Sequence, residues 1–306
     1  MYDVVILGAG PAGLAAAMYA GRYELSVCII SEDVGGQMNL ADKVENYPGI
    51  LSISGVDLML QFKDHAEKFG AKIVYARADK IEKNADGSFS VTTPRETIQG
   101  KTLIYTLGSK HRHLGAPGED KLVGKGVSYC ATCDGAFFKN KTVAIVGGGN
   151  SAFTGAVICA QYAKKLYIIH RREEFRADPI TVAQVKKLAN VEFLLNTNVL
   201  EIQGENFISG VKLDKVVDGS DILPLEGIFI EIGSDPLVKL AQEVGVELSH
   251  DHLVIVRPDQ RTNVEGLYAA GDVTTGSNNF RQAITSAAEG TVAADAIFNY
   301  LKAKEV

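Results

Sequence analysis

Three things are scarce in this 306-residue sequence: surplus positive charge, long apolar runs and cysteine. The formal net charge is -6, so the chain offers no general footprint for nucleic-acid phosphates, and any cationic cluster has to be read locally. No apolar run approaches the roughly 18 residues needed to span a bilayer, and membrane partners are not expected. The chain opens MYDVVILGAG, a strand-like run that leaves no room for a secretory or transit peptide, so a cytoplasmic location is expected. Short-period repeats and low-complexity tracts are missing as well. At this length the chain can bury a substantial core, and two domains are expected.

Of the four cysteines, Cys28 lies inside the apolar run SVCII and Cys159 inside an alanine-rich, helix-like stretch. Both read as small buried hydrophobes. Cys130 and Cys133 share the stretch SYCATCDGAFF. A two-residue gap suits a zinc ligand pair, a structural disulfide or a redox dithiol. A closed zinc site needs four ligands, usually two such pairs. The other cysteines are singletons, and His111, His113, His250 and His252 are remote from a cysteine in sequence, so no metal site is expected. Cytoplasmic reductants keep thiols free, which favours a catalytic role for the pair over a structural one.

On either side of that pair lies one strand–glycine–helix unit. The first, DVVILGAGPAGLAAAMYA, carries Gly8, Gly10 and Gly13; the second, KTVAIVGGGNSAFTGAV, carries Gly147, Gly149 and Ala152 at the same spacing, followed in part by Asn150 and Ser151 at the helix start. Such glycines allow a tight turn and close backbone approach to a pyrophosphate, and the helix start supplies free amides and a positive dipole end. Two copies, each directly after a buried-type strand, are far more specific than one. The strand that follows should carry the group reading the adenosine ribose. Glu32 stands 24 residues after Gly8, and Arg171 stands 24 residues after Gly147. An acid accepts hydrogen bonds from a free ribose hydroxyl, whereas arginines accommodate a 2′-phosphate. The first site therefore suits FAD and the second NADPH. In HRREEFR, His170, Arg171, Arg172 and Arg176 form the candidate NADPH clamp. The competing reading is a solvated charge run in which Glu173 and Glu174 pair with the arginines.

With paired nucleotide sites around a CxxC, the chain resembles the low-molecular-weight thioredoxin reductases over essentially its full length. Gly35-Gly36-Gln37 and Asn46-Tyr47-Pro48-Gly49 look like that family's flavin-contacting loops. TLGSKHR, from Thr106 to Arg112, looks like a variant of the segment that closes the first FAD-binding part. GLYAAGDV resembles the second FAD motif, with Asp272 on the ribityl chain, and Arg281-Gln282-Ala283 matches the start of the last helix beside the flavin ring. The positive end of such a helix favours the negative charge of reduced flavin. The resemblance implies an α/β fold of two Rossmann-like nucleotide-binding domains of the three-layer ββα type. The NADPH domain (114–244) would be inserted into a discontinuous FAD domain (1–113 and 245–306), with linkers at Gly115–Glu119 and Glu243–Gly245. The NADGSF stretch around Asp86-Gly87 reads as the hairpin turn of a small antiparallel sheet.

The activity implied is NADPH-dependent reduction of a protein disulfide: electrons pass from NADPH to FAD, to Cys130–Cys133, and on to thioredoxin or a thioredoxin-like or glutaredoxin-like protein. By the resemblance Cys133 lies next to the flavin, Cys130 attacks the partner, and Asp134 handles protons. A homodimer is implied, as is a rotation of the NADPH domain that lets the dithiol and the nicotinamide meet the same flavin in turn. Three features depart from the family pattern. Thr154 and Gly155 stand where relatives carry two acids that help shape the nicotinamide pocket; Ala136 precedes Phe137 and Phe138, where relatives have the two aromatics at once; Ser31 ends the second strand, where many relatives place an acid. The alternatives are a ferredoxin-fed thioredoxin reductase and a flavin-dependent dithiol oxidase of the same fold. The oxidase would not need the arginine cluster, and the ferredoxin-fed reductase would dispense with the second nucleotide motif. A non-catalytic flavin redox sensor would not need two nucleotide motifs, and a flavin–NADP oxidoreductase serving ferredoxin would not need the dithiol.

Overall fold

A computed structural model describes residues 1–304. It divides into two compact units, one formed by Met1–Lys110 with the described residues from Pro236 onward and the other by His111–Asp235.

In the first unit, parallel strands Lys72–Tyr75, Val27–Ser31, Tyr2–Leu7 and Thr97–Tyr105 lie side by side in that order. The long strand Thr97–Tyr105 joins the parallel and antiparallel parts of one seven-stranded sheet. Its C-terminal half pairs in parallel with Leu267–Ala269, and its N-terminal half pairs antiparallel with Phe89–Thr92. That strand continues the antiparallel run to Lys80–Lys83 through the expected hairpin, whose turn is closed by Ser88 N–H donating to Asp86 Oδ1 at 2.9 Å. Central parallel strands are covered on both faces and are correspondingly apolar throughout. Alternation then decides which residue meets which layer. Val4, Ile6, Val27 and Ile29 pack with the helices Pro11–Arg22, Gly55–Lys68 and Ala283–Lys304, while Val5, Leu7, Cys28 and Ile30 face the opposite core with Phe89, Val91 and Tyr105. Each fully buried Val, Ile or Leu contributes roughly 1.5–3 kcal/mol. Residues beyond Pro236 rejoin this core: Val238 and Ala241, the latter in the helix Lys239–Glu243, are buried with Val5 and Leu7.

The second unit repeats the plan. Five parallel strands run in the order Val191–Leu195, Lys165–His170, Thr142–Val146, Gly227–Ile230, Val127–Ser128. One face, with Val143, Ile145, Leu166 and Ile168, packs with the helices Asn150–Cys159 and Pro179–Val185; the other, with Ala144, Val146 and Ile169, packs with Ile202, Val211, Leu213 and Leu223. Those last residues belong to an antiparallel meander of Val199–Gly204, Ile208–Val217 and Ser220–Pro224. Meander, parallel sheet and helices make three layers, the expected ββα arrangement. Within this unit the outgoing and returning segments are tied together by Arg112 N–H donating to Gly233 O (3.0 Å) and by Arg112 Nε donating to Asp235 Oδ1 (2.9 Å). Among the described residues no helix is long and apolar enough to cross a membrane.

Candidate active site

The short strand Val127–Ser128 delivers the chain to Cys130, which starts a single helical turn, Ala131–Asp134. Cys130 and Cys133 form a disulfide with their Cα atoms 5.2 Å apart. Both are half-buried. Ser128 organises the turn: its Oγ accepts from Cys130 N–H (3.0 Å) and donates to Asp134 Oδ2 (2.6 Å). The carboxylate that follows the second cysteine is thus held by a hydroxyl two residues before the first. Cys133 N–H points at Cys130 Sγ at 3.2 Å. After the turn, Ala136 is exposed, whereas Phe138 packs edge-to-face on Phe229 (5.1 Å between centroids) and against Gly227. The second aromatic therefore serves the core of its own unit.

The two glycine turns are built alike. Gly8 has φ +103°, and a side chain there would come within 2.5 Å of Thr106 O; one at Gly13 would overlap Gly8 O. Around Gly10 there is open space. In the second unit Gly147 (φ +155°) packs against Glu231 O and Ala152, and the space around Gly149 is again open. Asn150 and Ser151 open the helix that follows. Asn150 Oδ1 accepts from Asp178 N–H (2.8 Å), and Arg176 N–H donates to Gly148 O (2.8 Å). These bonds fold the HRREEFR loop back over the glycine turn. The ring of His170 covers Gly148, and its Nε2 meets Glu174 O at 3.1 Å. Burial, with the charges of Arg171, Arg172 and Arg176, lowers the His170 pKa. The three guanidinium groups are exposed, and neither Glu173 nor Glu174 forms a salt bridge with them.

In the first unit the remaining sequence-selected residues gather from distant parts of the chain. Gly36 N–H donates to Asp33 Oδ1 (3.3 Å), and Gln37 Nε2 reaches the backbone and side chain of Ser109. Asn46 Nδ2 donates to Gln282 Oε1 (3.0 Å), bringing the NYPG loop to the residues Arg281, Gln282 and Ala283. Asp272 accepts from Ser286 Oγ (3.1 Å); burial raises its pKa, against the pull of that hydrogen bond and of the Arg281 charge. Ser31 Oγ accepts from Ala9 N–H (3.1 Å), so the hydroxyl supports the glycine turn, and Glu32 stands exposed just past the strand end.

The sequence pattern of the pyridine nucleotide-disulphide oxidoreductase family matches residues 2–290. The chain belongs to that family. Within it, a thioredoxin reductase of Listeria monocytogenes is 41% identical over 307 residues, spanning 99% of this chain and 94% of that protein, and one of Bacillus subtilis is 38% identical over 305 residues, spanning 99% and 95%. The crystal structure of thioredoxin reductase from Streptococcus pyogenes superposes with a TM-score of 0.92 at 37% identity, covering 99% of both chains. The resemblance read from the motifs is borne out across nearly the whole length.

The residues present fit the two cofactors of this oxidoreductase family. Each cradle has glycine where a side chain would clash with its own turn and open space where a pyrophosphate would lie. The first suits FAD and the second NADPH by the charge just beyond the second strand. Two acids that sequence reasoning passed over belong to this picture. Glu289 is buried in the last helix, where its Oε2 accepts from Gly271 N–H (2.7 Å) and Thr274 Oγ1 (3.2 Å), fixing the loop that carries Asp272. Glu231 Oε1 accepts from Ala131 N–H (3.0 Å), the amide directly after Cys130. The sequence signal for both is an acid inside an otherwise apolar or small-residue run.

Proposed function

We propose that the protein is a flavoprotein thioredoxin-disulfide reductase, passing electrons from NADPH through FAD and the Cys130–Cys133 disulfide to the disulfide of thioredoxin or a thioredoxin-like protein. The observation that carries this reading is a formed CxxC disulfide in the same unit as a glycine cradle bordered by three arginines that the neighbouring glutamates leave unpaired. FAD, when bound, supplies a group that takes a hydride from NADPH and gives two electrons to a disulfide. The first unit would hold the flavin, with Gly8, Gly10 and Gly13 at the pyrophosphate, Glu32 at the ribose, and Gly36, Gln37, Asn46, Asp272, Arg281, Gln282 and Ala283 around the rest. The second unit would hold NADPH through Gly147, Gly149, Asn150, Ser151, Ala152, His170 and the arginines.

The protein's own steps are thiol chemistry. The Cys130 thiolate attacks one sulfur of the partner disulfide, forming a mixed disulfide and expelling a partner thiolate. Cys133 then attacks Cys130 Sγ, restoring the internal disulfide and expelling the second partner thiolate. Each departing thiolate takes up one proton, and Asp134, held by the Ser128 hydroxyl, would exchange protons with the turn. A ferredoxin-fed or oxygen-reducing relative would have no use for the arginine cluster. A homodimer remains part of the proposal.

Anaerobic titration tests the reading. NADPH is expected to bleach the flavin more effectively than NADH, and added thioredoxin should then reduce a chromogenic disulfide. Replacing Arg171 by alanine should raise KM for NADPH by about 10- to 100-fold, since one lost charge-assisted contact is worth on the order of 1.5–3 kcal/mol, while use of NADH stays within about twofold. Failure of NADPH to bleach the flavin would overturn the reading.

A further inference from the structure

Glu231 follows the strand Gly227–Ile230 and touches both chemical turns of its unit. Its N–H donates to Val146 O at 2.9 Å, and its carbonyl lies against Gly147, where the nucleotide turn begins. Its side chain runs to the dithiol turn and accepts from Ala131 N–H. Gly155, on the helix Asn150–Cys159, makes this approach possible: a Cβ there would stand 2.7 Å from Ala131 Cβ and 3.8 Å from Glu231 Oε1. The glycine and the glutamate are thus a matched pair, one opening the space that the other's hydrogen bond spans. The surroundings are apolar, with Ala131, Ile145 and Phe229 fully buried.

We propose that Glu231 is a positioning residue of the redox centre, holding the Cys130–Cys133 turn through the Ala131 amide and restraining thiolate formation there through its own charge once the disulfide is reduced. This rests on the reading of that disulfide as the redox centre. The titratable groups around it are Asp134 and the two cysteines on the turn, and Cys159 on the helix beside it. Burial pushes the Glu231 carboxyl up to about 7, opposed by the Ala131 hydrogen bond. Burial above all pushes the nearby Cys159 thiol up to about 12, and the charges of Glu231 and Asp134 act in the same direction. A carboxylate disfavours a second negative charge close by. The restraint should therefore be present above about pH 7, where Glu231 is ionised, and fade below it, where Glu231 is neutral.

The test is alkylation by iodoacetamide of protein reduced with dithiothreitol, followed from pH 6 to 10 with the modified cysteine identified by mass spectrometry. Glu231→Gln keeps a carbonyl for the Ala131 amide but cannot ionise. Its profile is expected to move to lower pH, with alkylation at pH 8 about threefold faster or more, as half a pKa unit gives, and to converge with the wild type towards pH 6. Glu231→Ala should show the same shift together with a lower thermal midpoint, and it carries the test should Glu231→Gln not fold. A purely structural role would lower the midpoint of the alanine variant and leave the glutamine profile unmoved. Profiles of variant and wild type that superimpose, or a shift to higher pH, overturn the proposal. Dithiothreitol bypasses both nucleotides, so a failed reductase reading would show separately, as a disulfide that NADPH does not reduce.

Discussion

At the glycine turns a single methyl group has opposite consequences at neighbouring positions. Gly13 sits where a Cβ would overlap Gly8 O, so its alanine variant must push the helix Pro11–Arg22 off the first strand. Gly149 has an extended backbone (φ -102°, ψ -177°) and open space around it, so alanine there meets no protein atom. Gly13→Ala is expected to purify with FAD largely lost and a lowered thermal midpoint, by the overpacking cost of about 1–3 kcal/mol. Gly149→Ala should fold with full flavin content, yet raise KM for NADPH about tenfold or more, because its methyl group fills the volume a pyrophosphate would approach. Flavin-to-protein absorbance and steady-state kinetics separate the two. Equal flavin loss in both variants would show that the open space has another purpose. Ala152, at the position equivalent to Gly13, is fully buried against Gly147, so the second turn has already absorbed the methyl group that the first cannot.

Among elements, those whose residues report on immediate neighbours were legible from sequence. VVIL and VCII read as buried parallel strands because both faces of each are covered, and Asp86-Gly87 read as a turn because its hydrogen bonds are local. The last helix was legible only in part. Arg281-Gln282-Ala283 marked its start, but Glu289, among alanines and glycines, has partners 15 and 18 residues earlier in the chain. No local pattern announces such a pairing; an acid on a helix ordinarily faces water. The same holds for Glu231, whose partner lies 100 residues away, and for Phe138, which packs on Phe229. Glu289→Ala leaves the Gly271 amide without its acceptor in a buried setting, a cost of about 1–3 kcal/mol. The variant should show a lower thermal midpoint and faster flavin loss on dilution, with Glu289→Gln between it and the wild type because its amide oxygen can still accept. A midpoint unchanged in Glu289→Ala would mean that the loop carrying Asp272 is held by other contacts.

Across the whole molecule, one architectural plan is used twice, and the two copies keep the same register from glycine turn to strand end. Ser31 and His170 are the last residues of corresponding strands, and Glu32 and Arg171 come directly after them, so the 24-residue count from each first glycine reflects a shared register. The compact units meet the chain at Lys110 and Pro236, a division set by where Val238 and Ala241 are buried; Gly245, by contrast, lies just past a helix end. The four cysteines divide the same way, by environment. Cys28 in the first unit and Cys159 in the second are sealed from water, and burial first of all pushes their thiols up to about 11 and about 12. At pH 8 a thiol titrating near 11 is ionised to only about one part in a thousand, and only the thiolate is nucleophilic. Iodoacetamide should therefore leave the oxidised native protein unmodified. After reduction by NADPH it should add two labels, both within residues 128–138, and after reduction in denaturant it should add four. Because raised thiols gain charge only as pH climbs, Cys28 and Cys159 should stay unlabelled in the folded protein up to about pH 9. A label on Cys28 at pH 8 in folded protein would show that the first sheet opens to solvent on the timescale of the reaction, and would undercut its assignment as a core residue.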